Sequence, residues 1–143
     1  RVLFRSDLMR RGELRWVDLD PVRGNESDKR RPAVIVSNDG ANATASRLGR
    51  GVVTVIPVTS NTERVYPFQV LLDAAATGLV RDSKAQAEQV RSVSVERVGD
   101  LIASLDADIV RALDDALRLH SSCSRRQHCH TESPTIGDES LPP

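Results

Sequence analysis

RRGELRWVDLDPVRGNESDKRRPAVIVSND, residues 10–39, changes character twice, and those two changes decide what the chain can build. Its opening, Glu13–Leu19 (ELRWVDL), alternates as a half-buried strand does. Leu14, Trp16 and Asp18 fall on one face, and Arg15, Val17 and Leu19 on the other. Its end, Pro32–Ser37 (PAVIVS), is a continuous apolar run rich in β-branched residues, the pattern of a strand covered on both faces. Between them Asp20–Arg31 carries Pro21, Gly24 and a dense set of charges, which reads as a loop.

The same strand chemistry returns at Val52–Val58 (VVTVIPV) and Tyr66–Leu72 (YPFQVLL). Pro57 and Pro67 demote these two strands to edges or bends, because proline has no N–H to give a ladder. Asn38–Gly51 (NDGANATASRLGRG) has turn chemistry at both ends and reads as a loop. Lys84–Val93 is a fifth extended run of low β-propensity, and Leu101–Ser104 a short last strand. The period then changes. Asp106 is a good N-cap for a helix running to about Leu119, with Ile109, Val110, Leu113, Ala116 and Leu117 on one face and Asp108, Arg111, Asp114, Asp115 and Arg118 on the other. Short strands followed by an amphipathic helix predict a mainly β fold with α: a small, curved, barrel-like sheet with a C-terminal helix packed on it. The domain spans residues 9–120. Residues 1–8 precede Met9, a sensible start, and read as a non-native or disordered extension; residues 121–143 lose all periodicity and read as a disordered tail.

Composition limits the function. At 143 residues the chain suits one domain with a real core. Aromatics make up 3%, which argues against a broad stacking platform for nucleic acid. No apolar run approaches the roughly 20 residues that cross a bilayer, and the basic, apolar start lacks the features of a signal peptide. Cys123 and Cys129 lie in the tail, so no disulfide framework is expected and a cytoplasmic location is the simplest reading. His120, His128 and His130 all sit at or beyond the end of the last helix, so the body cannot use paired histidines or a histidine-anchored metal site. The tail cysteines and histidines lack a paired C-x-x-C frame. No metal and no cofactor are expected.

Charge sums to zero but is uneven: residues 1–64 hold 12 Arg/Lys against 8 Asp/Glu, and residues 65–120 hold 6 against 9. Arg23, Lys29, Arg30, Arg31, Arg47, Arg50 and Arg64 lie in loops or at strand starts, where a polyanion would dock. Two places hold reactive groups beside buried strands. The loop Glu26-Ser-Asp-Lys-Arg-Arg31 runs into a strand through Pro32, which forces Arg31 into an extended conformation. Val58-Thr59-Ser60-Asn61-Thr62 places hydroxyls and an amide at the exit of the third strand. The ordinary alternatives are a surface ion pair for Arg31, a turn cap for Thr59 and a solvated acid for Glu26. If the strand ends meet, an arginine fork and a hydroxyl face one phosphate. RNA brings its own nucleophile, the ribose 2′-hydroxyl, so such a site need only align the attack and stabilise charge on phosphorus. Arginine suits charge stabilisation but not proton abstraction; Glu26 could be the base if its pKa were raised.

The stretch quoted above resembles the opening of the MazF/PemK toxin family: a basic-Gly-Glu start, an aromatic-x-x-Asp-Leu-x-Pro strand end, a Glu-containing loop, and Arg-Pro before an apolar strand. VIPVTSN (55–61), YPFQVLL (66–72) and DSKAQAEQVRSV (82–93) are similar to later family strings, in order. The resemblance covers residues 9–120. It implies an SH3-like barrel of the CcdB/MazF type with added helices, a homodimer, and metal-independent cleavage of single-stranded RNA at short sequences, leaving 2′,3′-cyclic phosphate and 5′-hydroxyl ends. It places the catalytic arginine on Arg31, the catalytic threonine on Thr59 and the acidic loop position on Glu26. Lys29, Arg30, Arg47, Ser60, Asn61 and Arg64 become candidate RNA contacts. The implied partner is a cognate, MazE-like antitoxin whose disordered segment covers the RNA groove. Two features depart from the pattern: the basic run Asp28–Arg31 replaces a Gly-rich stretch, and the tail has no counterpart. A CcdB-like toxin that inhibits DNA gyrase by protein–protein contact is the alternative on the same fold; a plain single-strand binding module is a third reading, which the low aromatic content disfavours.

Overall fold

Alternation along buried strands lets one sheet carry a core on each side, and that is how this chain uses its apolar runs. The computed structural model describes residues 8–19 and 30–122. Within them the elements run β1 (Glu13–Asp18), β2 (Arg30–Ile35), α1 (Asp39–Leu48), β3 (Val52–Thr59), β4 (Gln69–Leu72), α2 (Ala74–Thr77), β5 (Ser83–Gln86), β6 (Arg91–Ser94), β7 (Val98–Ser104) and α3 (Ala107–His120). The strands form an antiparallel sheet ordered β4-β5-β3-β2-β1-β7, with β6 also on β3. One face gathers Val17, Leu19, Ala33, Ile35, Val53, Val55 and Val93, with Met9 and Ala45 of α1 over them. The other gathers Leu14, Val34, Ile56, Val58, Leu72 and Ala85 beneath Leu113 and Ala116 of α3. The class expected from the sequence, mainly β with a C-terminal helix on the sheet, is the class observed. Among the described residues no ladder joins β4 to β7, so the sheet is open rather than a closed barrel.

Helix α3 forms where its periodicity predicts. The Asp106 side chain accepts from the Ile109 N–H at 2.9 Å, and Leu113 and Ala116 are buried against the sheet. The fifth extended run is also present, divided by a 3₁₀ turn at Ala87–Gln89 into β5 and β6.

Three expectations need correction. Asn38–Gly51 is not a loop, because its turn residues are helix caps. Asn38 accepts from the Ala41 N–H at 2.8 Å at the start of α1, and Gly49, with φ +62°, ends it. The buried interior of α1 is Asn42, Ala45 and Ser46, too small and polar to show an apolar stripe. Asn42 is fully buried because its amide donates to the Ser37 carbonyl at 2.8 Å and accepts from the Ser37 hydroxyl at 2.5 Å.

Pro57 does not mark an edge either. It lies in β3 with partners on both sides, between the last β6 pairing (Val55↔Arg91) and the first β5 pairing (Val58↔Ala85). Thr54 turns its carbonyl toward β2, accepting from the Val36 N–H at 2.9 Å, so the alternation turns the nitrogen of Pro57 toward the other edge. There the partner strand is interrupted by the 3₁₀ turn, and no ladder bond is lost. Pro67 precedes β4, in the turn closed by the Gln69 N–H on the Tyr66 carbonyl at 2.9 Å.

Finally, Trp16 does not share the burial of Leu14: it is 41% exposed while Leu14 is 0%. The β1–β7 ladder shifts register on both sides of Arg15, which breaks the simple alternation.

Candidate active site

Two proposed site residues sit where strands that share a core stop sharing a ladder. Arg31 is in β2, opposite Val17 of β1. Thr59 ends β3, opposite Lys84 of β5. The β2–β3 ladder pairs Ile35↔Val55, Val34↔Ile56 and Ala33↔Pro57. Carried two residues further, the same register sets Arg31 across from Thr59. By the two-residue alternation both belong to the face of Ala33, Ile35 and Val55, away from α3. The result is one row across the sheet: Val17, Arg31, Thr59, Lys84. Arg31 is exposed and Thr59 half-buried, with buried Val17 and Lys84 at the row's ends.

Local bonds fix the hydroxyl. Thr59 Oγ1 accepts from the Asn61 N–H at 3.3 Å, and Asn61 Oδ1 accepts from the Glu63 N–H at 3.3 Å, so two successive side-chain turns shape the segment after β3. A hydroxyl whose oxygen accepts from a backbone N–H can still donate its own hydrogen to another acceptor. A planar guanidinium and this hydroxyl can bind non-bridging oxygens of one phosphodiester.

The other sequence candidates distribute unevenly. Ser60 and Asn61 lie beside Thr59 on the exposed segment. Arg64 follows them, its guanidinium 5.9 Å from the Tyr66 ring centroid and donating to the Tyr66 hydroxyl at 3.3 Å. Arg30 precedes Arg31 in the same strand, opposite Asp18, and alternation sends it to the other face. Arg47 lies in the last turn of α1, beside the start of β3 rather than its end, so it is not brought to the row. Glu26 and Lys29 lie outside the described residues, as does Arg23. Among the described residues no three His, Cys, Asp or Glu side chains are grouped to hold a metal.

The sequence reading missed two features here. Lys84 is 7% exposed, and its ammonium donates to the Arg64 carbonyl at 2.6 Å. Only the Thr59↔Lys84 pairing reveals it, since on the sequence it is one lysine among polar neighbours. The second is a short aromatic stack: Tyr66 and Phe68 lie parallel with centroids 5.3 Å apart, and Phe68 meets His120 at 6.4 Å. The low aromatic content hid how the few rings are concentrated.

An antiparallel sheet with a C-terminal helix on one face, and an arginine and a threonine at strand ends on the other, defines a small, mainly β protein with a candidate site for an anion. A family model described as PemK-like, MazF-like toxin of type II toxin-antitoxin system matches residues 10–121. The chain belongs to that family. Endoribonuclease MazF9 of Mycobacterium tuberculosis is 62% identical over 113 residues, covering 79% of this chain and 96% of that protein. Endoribonuclease EndoA of Bacillus subtilis is 30% identical over 113 residues, covering 78% and 93%. Among solved structures, MazE-MazF (Form-III) from Deinococcus radiodurans is similar with a TM-score of 0.64 at 27% identity, covering 82% of this chain and 99% of that one.

Proposed function

We propose that this chain is the toxin of a type II toxin–antitoxin system, an endoribonuclease that cuts single-stranded RNA without a metal ion. The reading is supported by the β2–β3 register, which, carried two residues past its last pair Ala33↔Pro57, puts Arg31 and Thr59 on one face of the sheet. The 2′-hydroxyl attacks the adjacent phosphorus, the P–O5′ bond breaks, and the products are a 2′,3′-cyclic phosphate and a 5′-hydroxyl. Arg31 holds the phosphate and stabilises its growing negative charge; the Thr59 hydroxyl donates to a second oxygen. Glu26 is proposed as the base that takes the 2′-proton. Lys29, Ser60, Asn61 and Arg64 are proposed to hold flanking nucleotides, whereas Arg30, on the other face, and Arg47, near the start of β3, are not.

The partners follow from the relatives. A homodimer, a MazE-like antitoxin and a cytoplasmic location are part of the proposal. Among the described residues no helix is long and apolar enough to cross a membrane. Inhibition of gyrase by a non-enzymatic contact is not favoured, because both relatives named above are named as endoribonucleases.

The test is digestion of a long single-stranded RNA in EDTA by the wild type, Arg31→Ala and Thr59→Ala. Discrete cuts ending in cyclic phosphate, lost in both variants, support the reading. Cutting that survives both substitutions refutes the site, and no cutting by folded, antitoxin-free wild type returns the gyrase alternative.

A further inference from the structure

Cleavage by 2′-hydroxyl attack leaves one demand that Arg31 and Thr59 do not meet. The departing 5′-oxygen must acquire a proton, and an unprotonated alkoxide is a poor leaving group. Histidine commonly supplies it in ribonucleases, but the body of this chain holds none before His120, at the end of α3. A guanidinium gives up its proton too reluctantly. The row across the sheet offers one other N–H acid. Lys84 is directly opposite Thr59 in the β3–β5 ladder, so both side chains leave the same face, with Cβ atoms about 5 Å apart for a pair of this kind. Its flexible four-carbon stem lets the ammonium reach past the threonine toward a bound phosphate.

The environment of Lys84 supports a role beyond a surface charge. The residue is 7% exposed, and an ammonium carries three donors. One goes to the Arg64 carbonyl at 2.6 Å, which steers the head beneath the segment following Thr59. Among the described residues no carboxylate pairs with it. A buried ammonium that no carboxylate among the described residues neutralises, beside a hydroxyl in a row with an arginine, is a place prepared for an anion. The other buried cation on this face, Arg15, is already neutralised by Glu13 at 2.7 Å.

We propose that Lys84 is a catalytic residue, the general acid that protonates the leaving 5′-oxygen; the inference rests on the function proposed above. As the 2′-oxygen bonds to phosphorus, its proton passing to a base, the P–O5′ bond breaks with its electron pair on O5′. The ammonium gives O5′ a proton and becomes an amine, which regains the proton from water before the next turnover. The bond to the Arg64 carbonyl holds the amine in place meanwhile.

The experiment replaces the leaving oxygen. After cut sites are mapped on long RNA, one short oligonucleotide is made in two forms, with oxygen or with sulfur at the bridging 5′ position. A thiolate leaves without protonation. Lys84→Met should lose about 10²–10⁴-fold on the oxygen substrate and remain within about tenfold of wild type on the sulfur substrate. Lys84→Arg, which keeps the charge but is a poor acid, should behave the same way. Equal losses on both substrates would reduce Lys84 to a tether for the loop, and near-wild-type cleavage of the oxygen substrate would remove it from the chemistry altogether. A wild-type measurement gives a check independent of how the variants fold: the solvent deuterium isotope effect should be larger with oxygen than with sulfur, and equal effects would overturn the proposal. Arg31→Ala and Thr59→Ala should lose both substrates alike. If those two still cut, the site itself is misplaced, a failure separate from that of Lys84.

Discussion

Gly12→Ala should be among the most destabilising single-methyl changes in this protein, for two reasons the structure separates. Gly12 has φ +88°, a conformation that side-chain-bearing residues rarely adopt, and an added Cβ would lie 2.9 Å from Val110 Cγ2 of α3. Neither neighbour can retreat easily. The Gly12 N–H donates to the Ile35 carbonyl at 2.7 Å, its carbonyl accepts from the Leu105 N–H at 3.0 Å, and Val110 follows the N-cap of α3. Adjacent Arg11 adds to the anchorage: its N–H donates to Asp39 at 2.7 Å, its Nε to the Val36 carbonyl at 3.0 Å, and its guanidinium pairs with Asp114. The backbone strain contributes about 1–3 kcal/mol, and the short contact about 1–3 kcal/mol as overpacking. Lower freedom of the unfolded chain offsets about 0.4–1 kcal/mol. The net loss should be about 1–5 kcal/mol, a drop in urea midpoint of about 1–3 M for a slope near 1.5 kcal/mol/M. Urea unfolding followed by circular dichroism, on Gly12→Ala, Val110→Ala and the double variant, reads both parts. Trimming Val110 removes the clash and not the strain, so Gly12→Ala should cost at least about 1 kcal/mol less in that background. A loss below about 0.5 kcal/mol would refute the strain argument, and equal losses in both backgrounds would refute the contact.

Glu13→Gln should destabilise by about 3–5 kcal/mol, because it leaves the buried Arg15 guanidinium without its carboxylate at 2.7 Å. Glu13→Gln combined with Arg15→Met should recover most of that in thermal unfolding, and no recovery would show that the pair contributes through its geometry. Arg64→Ala, made in the Thr59→Ala background so that RNA survives, should flatten the plot of log affinity against log salt by about 0.7. Filter binding to a single-stranded RNA measures it, and an unchanged slope would take Arg64 off the phosphate backbone.

Much of the fold was legible because burial here follows simple periods. PAVI of PAVIVS and all of VVTVIPV lie in strands of the structure, and α3 begins at the cap its sequence advertises. What escaped was structure stabilised by small or polar contacts. Helix α1 buries Asn42, Ala45 and Ser46, so its signal lay in Asn38 and Gly49, residues that serve turns and helix caps alike. Pro57 misled because the rule against central prolines assumes an unbroken partner, and the interruption at Ala87–Gln89 lies 30 residues further along the chain. At the site, Arg31 and Thr59 were legible as strand-end residues. That they share a face was not, because it depends on a register that only pairing sets. Lys84 shows the limit most clearly. Nothing in KAQAEQV announces that its first residue is buried opposite a threonine.

That register joins stability to chemistry. Sliding β2 by one residue against β3 would turn Ala33 and Ile35 away from Val53 and Val55, and would send Arg31 to the face of α3, away from Thr59. The first consequence exposes core and the second dismantles the proposed site, so the core that selects the register also sets the arginine on the hydroxyl's face. The same holds on the other side of β3, where the 3₁₀ turn between β5 and β6 is followed by a change of register with β3. Val55↔Arg91 sums to 146 and Val58↔Ala85 to 143. The odd shift matters: without it, alternation would place a different side chain opposite Thr59. The interruption that accommodates Pro57 is therefore also what brings Lys84 into the row. A substitution that straightened this turn would move Lys84 out of the row, and because Ala87 is fully buried beneath α3 it would disturb the core as well, so the least regular part of the sheet also ties the proposed site to stability.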